Sequence, residues 1–175
     1  MARPLFRAAD ITQPGSVTRW LVNFLHIDRD AIVGCTETEV DEVEATCGRP
    51  LPLGYKQWLR EAGRQVGPPR IDDHFRRAYR LYPDVIEVRN HIVDFMEDVR
   101  KSDELLSTAF PFYSWEGYRI CLLDLSGSYE DPPVLQLDEA PGLPLQAFHS
   151  LSRFIGWDIF VLADVITPRT GSQGR

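Results

Sequence analysis

The sequence lacks the features that define several large classes of protein. Its three cysteines are spaced 12 and 74 residues apart with no C-x-x-C pair (Cys35, Cys47 and Cys121), so neither a disulfide framework nor a cysteine zinc site is predicted. The longest uncharged run, Ala140 to Ser152, has 13 residues and two prolines, whereas a membrane span needs ~20 apolar residues. No apolar signal-peptide core follows Met1. We therefore expect reduced thiols, no membrane contact and a cytoplasmic protein.

Motifs for phosphate, dinucleotide, zinc-protease or hydrolase chemistry are also missing: the sequence has no G-x-x-x-x-G-K-[ST], G-x-G-x-x-G, H-E-x-x-H or G-x-S-x-G. Asp72, Asp73 and His74 are adjacent and would point in different directions on a helix, which favours helix capping over metal binding. The carboxylate pairs at 130–131 and 138–139 read as solvated groups. We expect no catalytic residues, no metal and no cofactor, and hence no enzymatic activity.

The composition is that of one folded domain. The chain has 175 residues, of which 43% are hydrophobic and 26% charged, with 19 basic and 26 acidic residues and a net charge of −7. A chain of this size buries enough surface to fold without disulfides or metals. An acidic domain repels phosphate backbones, so direct binding to nucleic acid is not expected.

Helical signals fill the first hundred residues. After an irregular lead-in at 1–15, an amphipathic helix is predicted at 16–26 with Ser16 as its cap. Thr36 and Glu39 form a capping box for a second helix that ends at Gly48. A third helix presents Tyr55, Trp58, Leu59 and Ala62 on one face and stops at Gly63. Beyond a loop at 64–70, Asp72 or Asp73 is expected to cap a fourth helix, and a longer one runs from Val85 to about Lys101.

Strand signals follow, with one closing helix. Residues 109–113 and 118–123 predict a hairpin around Trp115-Glu116-Gly117, and 133–137 predicts a third strand. Ser150 caps a last helix, and 168–175 is a polar tail. This order predicts an α+β fold, with helices packed on one face of a mainly antiparallel sheet, in a single domain over 16–167.

Most of the net charge lies in the strand-rich half. Residues 103–168 carry ten acidic residues against Arg119 and Arg153. Acidic groups beside exposed aromatic rings suit the rim and anchor of an interface for a basic partner. The predicted partner-binding residues are Trp115, Glu116, Tyr129, Glu130, Asp131, Asp138 and Glu139. The alternative is a solubility surface in which the aromatic residues belong to the core.

One segment resembles a known family. Glu44-x-x-x-Gly48-x-x-Leu51-Pro52-x-x-Tyr55-Lys56-x-x-Leu59-x-x-x-Gly63 is similar to the N-terminal signature of the SUKH superfamily, which includes Smi/Knr-type cell-wall regulators and bacterial immunity proteins. Phe110-Pro111, Gly117 to Asp124, Pro133-Val134 and Ser150-Leu151-x-x-Phe154-Ile155 match its later elements in order. The resemblance spans about 36–163 and leaves residues 1–35 outside. Where the family has Asn-Gly-Gly, this chain has Ala62-Gly63-Arg64.

The resemblance implies an α+β fold without enzymatic activity. It also implies a bacterial immunity protein that binds and blocks a cognate toxin domain, often a nuclease, with the acidic face covering a basic site. Complementary charge would raise the association rate by 10–10³. The alternative is an intracellular regulatory interaction module of Smi/Knr type. The sequence leaves the oligomeric state open.

Overall fold

The computed structural model describes residues 11–79, 81–87, 104–115, 119–138 and 145–166. Its α-helices are α1 (Ser16–Leu25), α2 (Glu37–Cys47), α3 (Leu53–Ala62), α4 (Pro69–Tyr79) and α5 (Leu151–Ile166). Strands β1 (Ile32–Val33) and β2 (Gln65–Val66) form a small antiparallel pair. A four-stranded antiparallel sheet follows, in the order β3 (Ala109–Trp115), β4 (Arg119–Asp124), β5 (Val134–Asp138) and β6 (Leu145–Phe148). The predicted α+β fold with a mainly antiparallel sheet is confirmed.

Local capping signals fix the helix ends that the sequence predicts most sharply. The Thr36 hydroxyl accepts the Glu39 amide, and the Glu39 carboxylate accepts the Thr36 amide, which completes the predicted capping box. Gly48 closes α2 in the left-handed conformation, with φ of 71°, where glycine has no steric penalty. The Ser150 hydroxyl accepts the Arg153 amide at the start of α5.

The fourth helix begins earlier than predicted, so the capping role expected of Asp72 or Asp73 is wrong. Pro69 is its first residue, a position where a missing N–H costs nothing. Asp72 instead accepts the amide of Val66 at 2.9 Å, which ties the helix to β2 inside the stretch expected to be a loop. Only residues 84–87 of the long helix predicted up to Lys101 are described, and they are helical.

The cap expected at Ser16 is replaced by a carboxylate from another helix. Gly15 is the N-cap residue of α1, and a glycine has no side chain that could accept the free amides of the first turn. The Glu61 carboxylate of α3 accepts the amides of Gly15 and Thr18, both at 2.7 Å. A carboxylate at a helix N-terminus accepts hydrogen bonds from N–H groups that have no partner within the helix, and the positive end of the helix dipole stabilises its negative charge. Helix α1 is thereby attached to α3 at its first turn.

The main core lies between the helices and one face of the four-stranded sheet. The Tyr79 ring stacks on Trp58 and on Phe75, with ring centroids 4.9 and 5.2 Å away, and those two rings lie 6.1 Å from each other. It meets Tyr113 of β3 edge-on at 5.1 Å. Helix α1 contributes three residues to the same core, Val17, Leu21 and Leu25. The helix outside the family resemblance is therefore part of the domain.

The sheet is buried on both faces at its centre. Cys121 and Leu123 of β4 join the main core, while Ile120 and Leu122 belong to a second buried cluster on the opposite face, as the alternation of strand side chains requires. A bulge in β3 between Pro111 and Tyr113 interrupts this alternation. It explains how the neighbours Phe112 and Tyr113 both reach the main core.

Candidate functional site

A groove forms where the α2–α3 connection meets the loop between β4 and β5. Its two sides are residues 49–53 and 125–130, and its volume is about 470 Å³. The connection carries the Leu51-Pro52 pair of the family-like segment. Leu51 is buried, and Leu53 opens α3 with 41% of its surface exposed. Tyr129 on the opposite side is 46% exposed, so the groove has an accessible apolar residue on each side.

Two hydrogen bonds hold the sides of the groove together. Arg49 Nη1 donates to the Leu125 carbonyl at 3.1 Å, and the Gly54 amide donates to the Glu130 carbonyl at 2.8 Å. These bonds pair residue 49 with 125 and residue 54 with 130, so the two segments run in the same direction. The two bridges are five residues apart on the α2–α3 side, and five extended residues span at most about 17 Å. The groove is therefore a short slot bridged at both ends.

Two glycines allow close contacts at the slot, one between its two sides and one within the β4–β5 loop. A Cβ on Gly54 would lie 3.1 Å from the Glu130 carbonyl oxygen and 2.9 Å from the Ile11 side chain. A Cβ on Gly127 would lie 2.5 Å from a carbon of the Tyr129 ring. The Tyr129 ring thus rests on the bare backbone of Gly127, which sets its direction while leaving it exposed.

A half-buried brace, formed by Glu44 with Lys56 and the Leu51 amide, supports the α2–α3 side of the slot. The Glu44 carboxylate accepts the Leu51 amide at 2.7 Å and forms an ion pair with Lys56. Burial acts to raise the pKa of Glu44, but the hydrogen bonds from Lys56 and Leu51 outweigh it and hold that pKa below its usual value. The brace fixes the chain between α2 and α3.

Asp131, predicted to contact a partner, is bound within the molecule. Its Oδ1 accepts the amide of Ser152 at 2.9 Å in the first turn of α5. Burial raises the pKa of Asp131, partly offset by hydrogen bonds from Ser152 and its neighbours. The carboxylate therefore caps α5 and supplies little accessible charge.

The structure brings two of the seven predicted partner residues to the slot, Tyr129 and Glu130, both exposed. Trp115 and Asp138 are described by their backbone pairing with Arg119, one from each side. Glu116 and Glu139 lie outside the described residues. Arg119 begins β4 and the slot follows its last residue, Asp124, so Trp115 and Asp138 lie at the opposite end of the sheet from Tyr129 and Glu130. The partner-binding set stays a prediction.

Sequence reasoning missed the other side of the slot. Leu53 and Arg49 are both exposed. The sequence does carry a signal for the exposure of Leu53, because this residue directly follows Pro52 and begins α3 at a position off the buried face of the helix. A second exposed apolar set was also missed in part. It lies on α5 at helical spacing and consists of Trp157, Phe160 and Val161.

A separate polar cluster is enclosed in the core around Asp158 of α5, which is 5% exposed. Its carboxylate accepts the hydroxyls of Tyr79 at 2.9 Å and Tyr113 at 3.3 Å. His74 Nε2 of α4 lies 3.8 Å from Asp158 Oδ2. Burial and the adjacent carboxylate raise the pKa of both tyrosines well above its usual value. The cluster joins α4, β3 and α5 with hydroxyls that stay protonated.

Neither a metal cluster nor a membrane helix is present in the described part of the chain. Within these ranges, no group of three or more His, Cys, Asp or Glu side chains is placed to bind an ion. Over the same residues, no helix combines the length and hydropathy needed to cross a bilayer.

Helices on an antiparallel sheet, with the Leu-Pro connection forming one side of an exposed slot, define an α+β domain of SUKH type. The family model of the SMI1 / KNR4 family (SUKH-1) matches residues 34–157. The chain belongs to this family. A comparison with curated proteins finds no match.

Proposed function

We propose that this protein is a non-enzymatic immunity protein of the cytoplasm that binds a cognate bacterial toxin domain and blocks it. The observation that carries the proposal is the slot, because Leu53 and Tyr129 expose apolar surface on both of its sides, beside the Glu130 carboxylate. Exposed aromatic anchors with polar neighbours are common where proteins bind each other. Membership of the SUKH-1 family supports a role in protein binding.

The partner-facing surface in this proposal has two parts. Tyr129 and Glu130 form the part at the slot, and Trp115, Glu116, Asp138 and Glu139 form a second part at the opposite end of the sheet, at the β3–β4 and β5–β6 connections. The toxin would offer a basic surface, since the acidic residues of this half exceed its basic ones. Asp131 and Asp158 contribute little to that attraction because both carboxylates are largely buried and hydrogen-bonded inside the domain.

The absence of enzymatic activity is part of the proposal. The enclosed carboxylate of Asp158 accepts hydrogen bonds from two tyrosine hydroxyls, an arrangement that suits a structural role. The slot itself contains one carboxylate and one guanidinium at opposite ends, without a paired acid and base.

The proposal is tested with the product of the adjacent gene. We expect this protein to co-purify with that toxin domain and to protect cells that express it. The triple replacement Glu130→Ser, Asp138→Ser and Glu139→Ser should slow association more than it speeds dissociation. Asp131 is left intact so that folding is not disturbed. Failure to bind or protect would contradict the proposed function.

The second candidate is a regulatory module of Smi/Knr type, which the same family match favours. It predicts a partner encoded at an unrelated locus and a deletion phenotype in cells without any toxin gene. Growth of a deletion strain under cell-envelope stress separates the two candidates.

A further inference from the structure

The slot between residues 49–53 and 125–130 also indicates which chemical group of a partner it fits. We propose that it binds a basic side chain, arginine or lysine, whose apolar stem lies between Leu53 and Tyr129 and whose charged group reaches Glu130. This inference deepens the proposed function, on which it rests, by naming the anchor that the partner inserts.

The bridges at the ends of the slot restrict how it can be entered. The Arg49–Leu125 and Gly54–Glu130 hydrogen bonds cross it at 3.1 and 2.8 Å. A partner main chain therefore cannot lie along the floor and leave at both ends. The occupant enters from the solvent side as a side chain, which suits a long, flexible residue.

The walls suit a side chain that is apolar along its stem and charged at its tip. Leu53 and Tyr129 are 41% and 46% exposed, and the methylene stem of arginine or lysine buries readily against such surface. The Tyr129 ring, held against Gly127 on one side, offers its exposed surface for a cation–π contact.

The charges at the two ends give the slot a direction. Arg49 and Glu130 are both exposed and line opposite ends of it. The Arg49 guanidinium is held on the Leu125 carbonyl, away from the end at which the Gly54 amide fixes Glu130. A cation is therefore repelled from one end and attracted to the other. An acidic side chain would meet Arg49 but lose the Tyr129 and Glu130 contacts.

The test compares two blocked amino acids that differ in charge but hardly in shape. N-acetyl-arginine amide and N-acetyl-citrulline amide are titrated into the ¹⁵N-labelled full chain, and amide chemical shifts are followed. We expect the arginine probe to move the resonances of Gly127, Tyr129 and Glu130 several-fold more than the citrulline probe. Glu130→Gln should abolish that difference, whereas Glu87→Gln, the same change at an exposed position outside the slot, should preserve it.

Several results would overturn the inference. Equal shifts from the two probes, shifts centred away from the slot, or an unchanged arginine response in Glu130→Gln would each do so. A parallel binding measurement separates it from the proposed function. If the toxin binds the wild type but Glu130→Gln and Tyr129→Ala leave its Kd unchanged, rather than raising it about tenfold, the anchor site is wrong and the immunity role stands. If the arginine response is present but no toxin binds, the immunity role is wrong.

Discussion

The enclosed Asp158 cluster allows a quantitative test of how the domain is held together. Asp158→Ala removes the acceptor of two buried hydroxyls, those of Tyr79 at 2.9 Å and Tyr113 at 3.3 Å. A buried polar group left without a partner costs about 1–3 kcal/mol. With two such groups, the free energy of unfolding should fall by ~2–6 kcal/mol. Since 1 kcal/mol shifts Tm by about 2–4 °C in a chain of this size, Tm should fall by ~4–24 °C.

The assay is urea unfolding followed by circular dichroism, with variants that separate hydrogen bonding from packing. Asp158→Asn keeps an acceptor oxygen of nearly the same shape and should lose less stability than Asp158→Ala. The double variant of Asp158→Ala and Tyr79→Phe should show a coupling energy of about 0.5–3 kcal/mol, because each change removes one partner of the same hydrogen bond. Asp73→Ala is the matched control, since its carboxylate is exposed and forms only an i,i+4 pair with Arg77, which is worth ~0.5 kcal/mol.

Two outcomes would refute the reasoning. One is an Asp158→Ala variant that is no less stable than Asp73→Ala. The other is strict additivity of Asp158→Ala and Tyr79→Phe, which would mean that the hydrogen bond between the two side chains contributes nothing specific.

Three further predictions concern other parts of the molecule. Gly63→Ala should lower the free energy of unfolding by ~1–3 kcal/mol in urea, because its Cβ would lie 2.5 Å from the Leu59 carbonyl oxygen and 2.6 Å from Cys35 Sγ; an unchanged midpoint would contradict that packing. The three thiols, all buried, should not react with Ellman's reagent in the native protein and should all react after denaturation. Protection is expected to be strongest at Cys35, where burial and then the Glu39 carboxylate raise the pKa in the folded state to about 12; one fast thiol in the native protein would count against this. Stability should fall as pH drops below about 4.5, because the pKa of Glu44 is lower in the folded state than its usual 4.5, and Glu44→Gln should flatten this acid loss; the same pH profile in both proteins would exclude the brace.

Helix positions could be predicted from the sequence because their signals are local. The Thr36 capping box, Gly48 and Ser150 each act within one helical turn. The strands that were missed have no such signal. β1 and β2 have two residues each, too few for any periodicity, and exist because Ile32 pairs with Val66 across the chain. β6 is short and was not recognised in the uncharged run before Ser150.

The candidate site could be predicted only in part, because exposure depends on tertiary packing. Tyr129 and Glu130 are exposed, as a partner-binding role requires. Asp131 follows directly in the sequence, yet its carboxylate turns inward to cap α5. The proximity of Leu53 to Tyr129 could not be predicted, because no sequence rule places residue 53 opposite residue 129 and the approach depends on the Gly54–Glu130 hydrogen bond. The acidic surplus was likewise overestimated, since Asp158 is internal.

The attachment of α1 has a practical consequence for anyone preparing this protein. The family match starts at residue 34 and stops at 157, yet Val17, Leu21, Ile159 and Leu162 outside it are all buried. An expression clone trimmed to the match would strip hydrophobic contacts from both ends and leave the Glu61 carboxylate without the amides that it binds. Such a fragment should be recovered in inclusion bodies. The segment that matches the family model is therefore shorter than the segment that folds.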